Sequence, residues 1–170
     1  TKRRVLLIDL DPQGNATMGS GVDKHGLENS IYDVLIGECD LVQAMQFSEH
    51  GGYQLLPANR DLTAAEVNLL EMQMKESRLR NALAPIRENY DYILIDCPPS
   101  LSMLTLNALV AADGVIIPMQ CEYFALEGVT ELWDTLVKIR RNLNPSLTIE
   151  GFLLTMFDER TNLSNQVVSD

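Results

Sequence analysis

Val5-Leu6-Leu7-Ile8-Asp9-Leu10-Asp11-Pro12-Gln13-Gly14-Asn15-Ala16-Thr17 passes from an uninterrupted apolar run into two acids and a turn. Val5 to Ile8 lacks the polar alternation of a half-exposed strand. It reads as a strand buried on both faces, which is the habit of parallel sheets. Tyr92-Ile93-Leu94-Ile95-Asp96-Cys97-Pro98-Pro99-Ser100 shows the same form, four apolar residues and a terminal acid. Val115 to Met119 and Phe152 to Met156 are further runs of this kind, and Gln54-Leu55-Leu56 is a shorter one. Helical patterns lie between them. Thr63-Ala64-Ala65-Glu66 fits a capping box, whose helix is expected to reach about Ala84, ahead of Pro85. Ser102 to Ala112 is a second helix. Leu126 to Leu143 is a third, with Val129, Leu132, Trp133, Leu136, Val137 and Leu143 on one stripe and Asn144-Pro145 at its end. A last helix starts near Thr161. Gly19 to Gly52, richer in Gly and polar residues, is expected to be irregular. Strands alternating with helices in this order predict an α/β fold, a doubly wound and mostly parallel sheet flanked by helices.

Composition narrows the function. The chain has 170 residues, 46% hydrophobic and 22% charged, which suits one globular domain and excludes disordered, collagen-like and coiled-coil classes. Thirteen basic against 24 acidic residues give a net charge of −11. That balance disfavours a bulk electrostatic grip on nucleic acid, so any DNA contact needs a local basic patch. Cys39, Cys97 and Cys121 are far apart, with no C-x-x-C spacing. Neither a disulfide framework nor a zinc or iron–sulfur site is indicated, and a reducing, cytoplasmic compartment is expected. His25 and His50 have no partners at ligand spacing. No apolar run approaches the ~18 residues of a membrane helix. The apolar part of Thr1 to Ile8 is too short for a signal peptide.

In an open parallel sheet, ligands bind beyond the carboxyl ends of the strands. Asp9, Asp11 and Asp96 all sit there. A single Asp in such a place is commonly a turn former or a helix cap. Here the context differs: Asp96, held rigidly at the tip of a buried strand, can orient water on a phosphate-bound Mg²⁺, and of Asp9 and Asp11 one could position metal-bound water and the other orient an attacking water. Pro98-Pro99 forces an extended, stiff exit beside such a site. Asp9 and Asp11, at i and i+2 of an extended segment, face the same side.

IDLDPQGNAT and YILIDCPPS together resemble the ParA/Soj family of partitioning ATPases, in the wider MinD-like group of deviant P-loop proteins. Ala111-Ala112-Asp113, IIPMQCEYFALEG from Ile116 and EGFLLTMFDERTNLSNQV from Glu150 extend the resemblance over essentially the whole chain. It implies ATP and Mg²⁺ as cofactors and a homodimer that sandwiches nucleotide. It further implies non-specific DNA binding and a ParB-type partner that stimulates hydrolysis, acting in the cytoplasm on the nucleoid. By the same resemblance, Asp11 is the acid that orients the attacking water in a first switch segment. Asp9 lies near the Mg²⁺ shell, and Pro12 to Asn15 complete the switch. Asp96 is the Mg²⁺-linked acid, reached through water, and Pro98 to Ser100 form the second switch. Gln120 to Gly128 help form the dimer face, Met156 and Phe157 lie near the adenine, and Arg160 touches DNA. Arg160 equally suits a solvated helix start, and Trp133 suits core or interface packing.

One departure matters. The family's Gly-rich loop, K-G-G-x-G-K-[ST], cradles phosphates with its backbone N–H groups. It is not in this sequence, because Gly19-Ser20-Gly21 and Gly51-Gly52 are followed by no Gly-Lys-Thr/Ser. The chain is therefore expected to be the central part of one ParA-type domain, lacking the phosphate loop and a later portion. By itself it should not hydrolyse ATP. A non-catalytic interaction module related to ParA and a MinD-like division-site regulator remain alternatives.

Overall fold

The computed structural model describes residues 2–120, 125–156 and 160. It divides into two compact units, Thr1–Ala111 and Ala112–Asp170. The first holds a four-stranded sheet in the order β2-β3-β1-β4, and the second a two-stranded sheet, β5-β6.

In the first unit, β1 (Val5–Asp9) lies between β3 (Tyr53–Leu56) and β4 (Tyr92–Asp96), parallel to both. The register pairs Leu7 with Leu55 and Leu94, and Asp9 with Asp96. β2 (Gln46–Ser48) runs antiparallel to β3 across a short hairpin. Helices α1 (Asn15–Gly19), α2 (Ile31–Ile36), α3 (Leu41–Ala44), α4 (Leu62–Asn68), α5 (Arg78–Leu83) and α6 (Met103–Ala111) complete it. Leu6, Ile8, Leu10 and Leu56 form one core with Ile31, Leu35, Leu62, Leu69, Leu79 and Leu104, all buried. At about 25 cal/mol per Å² of apolar surface, each such leucine contributes roughly 1.5–3 kcal/mol of burial, the main force holding helices to sheet.

The strands stand where the apolar runs place them, but burial on both faces holds only in part. Leu55 is fully buried, whereas Tyr92 and Leu94 on β4 are 56% and 54% exposed. Four consecutive apolar residues specify a strand; neighbouring elements determine how many of its faces are covered. Arg4 closes the start of the β1–β4 pair. Its backbone N–H and guanidinium both donate to Asp91, at 2.7 and 3.1 Å. The bond holds Asp91 below the usual carboxylate range and raises Arg4.

Two expectations are corrected. First, no capping box forms at Thr63–Glu66, because the helix begins at Leu62 after Asp61. Glu66 instead accepts the N–H groups of Met103 and Leu104 at 3.0 and 3.4 Å, satisfying free donors at the start of α6. Nor does one helix reach Ala84. α4 stops at Asn68, two short 3₁₀ turns follow, and Met74 takes a left-handed φ of 53°. The break allows Leu62, Ala65 and Leu69, then Leu79 and Leu83, to enter the same core along different axes.

Second, the region from Gly19 to Gly52 is irregular only in part. It holds α2, α3 and β2, and two capping boxes that its sequence does contain. The Ser30 hydroxyl accepts Tyr32 N–H at 3.2 Å while Asp33 accepts Ser30 N–H at 2.7 Å. Gln43 accepts Asp40 N–H at 2.8 Å. Ser-x-x-Asp and Asp-x-x-Gln were the available signals.

In the second unit, β5 (Gly114–Gln120) and β6 (Thr148–Thr155) are parallel, joined by α7 (Ala125–Asn142). Leu136 and Ile139 of α7 are buried, while Trp133 and Val137 of the expected stripe are largely exposed. The buried line is therefore displaced from the predicted one. Asn144 ends the helix by donating to Ala112 O at 2.8 Å. Among the described residues, no helix is long and apolar enough to cross a membrane. The side chain of Val129, the final helix expected from Thr161, and most of the Gln120–Gly128 segment lie outside the described residues.

Candidate functional site

The carboxyl ends of β1 and β4 bring Asp9, Asp11 and Asp96 together, as strand-tip placement predicts. Parallel register fixes the first contact, because Asp9 and Asp96 are direct neighbours in the ladder. Leu10 N–H then donates to Asp96 O at 2.8 Å and carries the pairing one residue beyond β1.

The three acids differ in their surroundings. Asp9 is fully buried. Its Oδ2 accepts the backbone N–H and the hydroxyl of Thr17, each at 2.7 Å. Its Oδ1 accepts Asp11 N–H at 3.2 Å. A buried carboxylate is tolerated when hydrogen-bonded this way. Asp11 is half-exposed, and its Oδ1 accepts Gln13 N–H at 2.9 Å in a local Asx turn. Among the described residues, no hydrogen bond reaches Oδ2 of Asp11. Asp96 stands at the tip of β4 with its side chain open to solvent. Partial desolvation, then the charges of Asp9 and Asp11, push its carboxyl above the ordinary range.

Gly14 lets the loop close on β3. It takes a left-handed φ of 63°, and a Cβ there would meet Ala58 O at 2.8 Å and Lys24 Cδ at 2.9 Å. Pro12 and Asn15 flank this turn, and Asn15 begins α1. After β4, Pro98 and Pro99 lead to α6, where the Thr105 hydroxyl donates to Ser100 O at 2.6 Å. The first and second loops thus both border the acids. Cys97, which opens the second loop, is half-buried. Burial, then the charges of Asp96 and Asp11, push its thiol up to about 12, which keeps it protonated at neutral pH.

All-oxygen donors whose negative charges oppose one another suit a hard divalent cation such as Mg²⁺. Among the described residues, no three His, Cys, Asp or Glu side chains converge closely enough to hold a metal directly. These acids would therefore reach the ion through its waters. Met156 follows β6 with φ 54° and is 83% exposed, and Arg160 is exposed in a turn. Both belong to the second unit. Phe157 lies outside the described residues. Sequence reasoning missed Thr17 and Ala58, since nothing in the residue pattern links a helix threonine to a backbone amide 41 positions away.

Between the ordinary aspartate value of 3.8 and its higher folded value, the unfolded chain releases the Asp96 proton first. Stability therefore falls as pH rises through that window and stays lowered above it. Asp96→Asn is expected to melt a few degrees higher than wild type at about pH 7, with the difference vanishing below about pH 3.5. Paired thermal melts across that range check it; an Asn variant less stable at neutral pH would show that the acids do not repel one another.

The model of the AAA domain family AAA_31 matches residues 1–149. An uncharacterised protein of Pseudomonas putida is 80% identical over 167 residues, covering 98% of this chain and 64% of its own. The chromosome partitioning protein ParA of Myxococcus xanthus is 50% identical over 99% of this chain and 60% of its own. The sporulation initiation inhibitor protein Soj of Bacillus subtilis is 48% identical over 99% and 66%. Among solved structures, a cobyrinic acid a,c-diamide synthase of Mycobacterium smegmatis with a bound ATP analog and magnesium superposes with a TM-score of 0.95. It is 44% identical and covers 99% of this chain and 69% of its own. The chain thus spans about 64% of the length of the Pseudomonas putida relative.

Proposed function

This chain belongs to the AAA_31 domain family, in its ParA/Soj branch, and from that membership we propose that it is the central part of an ATP-driven partitioning switch. The observation that carries the proposal is the convergence of Asp9, Asp11 and Asp96 at the ends of two paired parallel strands, bordered by two tight loops. The reading follows the partitioning proteins because they share more residues with the chain, over the same span, than the synthase does.

Each acid has a role that its surroundings suit. Asp11 Oδ2 accepts a hydrogen bond from the attacking water and orients it. Asp96, the open carboxylate on the stiffest support, holds water of the Mg²⁺ shell. Asp9 lies behind both, near that shell, and keeps Asp11 in place. When bound, Mg²⁺ neutralises charge on the transferring phosphoryl group. Pro98 and Pro99 keep the second loop extended beside the phosphates, and Met156 and Phe157 border the adenine.

Phosphates need a backbone cradle that these 170 residues do not encode. Hydrolysis is accordingly assigned to the full-length protein, with the 170 residues inactive alone. ATP binding pairs two subunits, the dimer holds DNA non-specifically with Arg160 contributing, and a ParB-type protein stimulates turnover in the cytoplasm, on the nucleoid. In the test, the full-length protein is incubated with ATP, with and without Mg²⁺. Mg²⁺-dependent phosphate release and a shift from monomer to dimer by light scattering are expected. No hydrolysis, together with no nucleotide binding by calorimetry, would leave the non-catalytic interaction module as the correct reading.

A further inference from the structure

Asp9 has two oxygens with different tasks. Oδ2 is held twice by Thr17, through its backbone N–H and its hydroxyl, each at 2.7 Å. Oδ1 receives Asp11 N–H at 3.2 Å. Because Oδ2 is pinned, the plane of the carboxylate is fixed and Oδ1 faces the backbone of Asp11. The Thr17 hydroxyl has one proton, given to Asp9, and a lone pair that accepts Ala58 N–H at 2.9 Å. Ala58 lies just beyond β3, and the preceding Pro57 accepts Ile31 N–H at 2.9 Å. One hydroxyl therefore links the end of β3 to the end of β1, and through Asp9 to the backbone of Asp11.

Thr17 and Asp9 are both fully buried. Both lie away from solvent, as does Ala58, so removal of the hydroxyl leaves Ala58 N–H without its acceptor and Asp9 Oδ2 with one donor in place of two. Gly14 seats the same loop on the carbonyl of Ala58. The segment from Asp11 to Thr17 thus approaches Ala58 twice, by the Thr17 hydrogen bond to its N–H and by the close passage of Gly14 over its carbonyl.

We propose that Thr17 is a positioning residue for Asp11, its hydroxyl bridging Ala58 N–H and the Asp9 carboxylate that holds the Asp11 backbone. The proposal rests on the ATPase reading above and deepens it. A displacement of about 1 Å in a group that orients a nucleophile lowers turnover by as much as about a hundredfold. Substrate affinity, set largely by the phosphate cradle, is little affected.

Three forms of the full-length protein are compared: wild type, Thr17→Val and Thr17→Ser. Thr17→Val is close in shape and lacks the hydroxyl. Its kcat for ATP is expected to fall by about tenfold to a hundredfold, with the Kd for Mg-ATP within about threefold. Without nucleotide, hydrogen exchange at the Ala58 and Asp11 amides should accelerate in Thr17→Val. Thr17→Ser should restore slow exchange and bring kcat within about threefold of wild type. A Thr17→Val kcat equal to wild type overturns the proposal, as does a Thr17→Ser form with lost turnover and an unchanged melting temperature. If Thr17→Val does not fold, Thr17→Ser alone decides by the same criteria. A wild-type protein without turnover refutes the ATPase reading itself, whereas turnover that survives loss of the hydroxyl refutes only the role of Thr17.

Discussion

Replacing Asp11 by Ala in the full-length protein is expected to lower kcat for ATP by about 10²–10⁴-fold, with the Kd for Mg-ATP within about threefold. Of the three clustered acids, Asp9 is fully buried and holds three hydrogen bonds. Asp96 stands exposed at the tip of β4. Asp11 has one oxygen engaged by Gln13 N–H and the other available to a water. Alanine removes both oxygens, so the turn loosens along with the loss of charge. Asp11→Asn separates these effects, because its Oδ1 still accepts from Gln13. If charge orients the water, Asn is as inactive as Ala. If Asn turns over like wild type while Ala does not, the acid acts only as a turn former. Single-turnover phosphate release, with nucleotide binding measured separately, distinguishes the two.

The largest loss of stability is expected at Asn107. This residue is fully buried on α6 among Leu104, Ala108 and Leu109. Its carboxamide accepts Leu79 N–H at 3.2 Å and donates to Lys75 O at 2.7 Å and Met103 O at 3.0 Å. It therefore stitches the interrupted segment before α5 to α6. Asn107→Ala leaves a cavity, the buried Leu79 N–H without its acceptor and the half-buried Lys75 carbonyl without its donor. Each unpaired buried group costs about 1–3 kcal/mol, so a loss of about 2–4 kcal/mol is expected. For a domain of this size that lowers Tm by roughly 5–15 °C. Urea unfolding followed by far-ultraviolet circular dichroism measures it. A loss under about 1 kcal/mol would mean that the turn relaxes to meet water and that the break between α4 and α5 does not depend on α6.

Asn107 also marks a boundary of what sequence conveys. A polar residue in the run Leu104 to Val110 carries no sign of the segment it serves. The Thr63–Glu66 pair errs in the opposite way. Its spacing is that of a capping box, yet the helix starts one residue earlier, at Leu62, and Glu66 accepts the free N–H groups at the start of α6 instead. Local patterns compete with partners that become available only when distant segments meet.

Other parts were fully local. Apolar runs ending in Asp marked the strands β1 and β4 and the ends at which their acids stand. Parallel pairing followed from the helical patterns between the runs. The site acids were legible for the same reason: strand ends converge, so Asp9, Asp11 and Asp96 had to be neighbours. What the tertiary structure alone decided was the division of labour among them. Three carboxylates of the same type became a buried anchor, a turn-held acceptor and an open, charge-strained strand tip. Burial and hydrogen-bond partners, here Thr17, Gln13 and Ala58, set these differences, and such partners are fixed by packing and not by spacing along the chain.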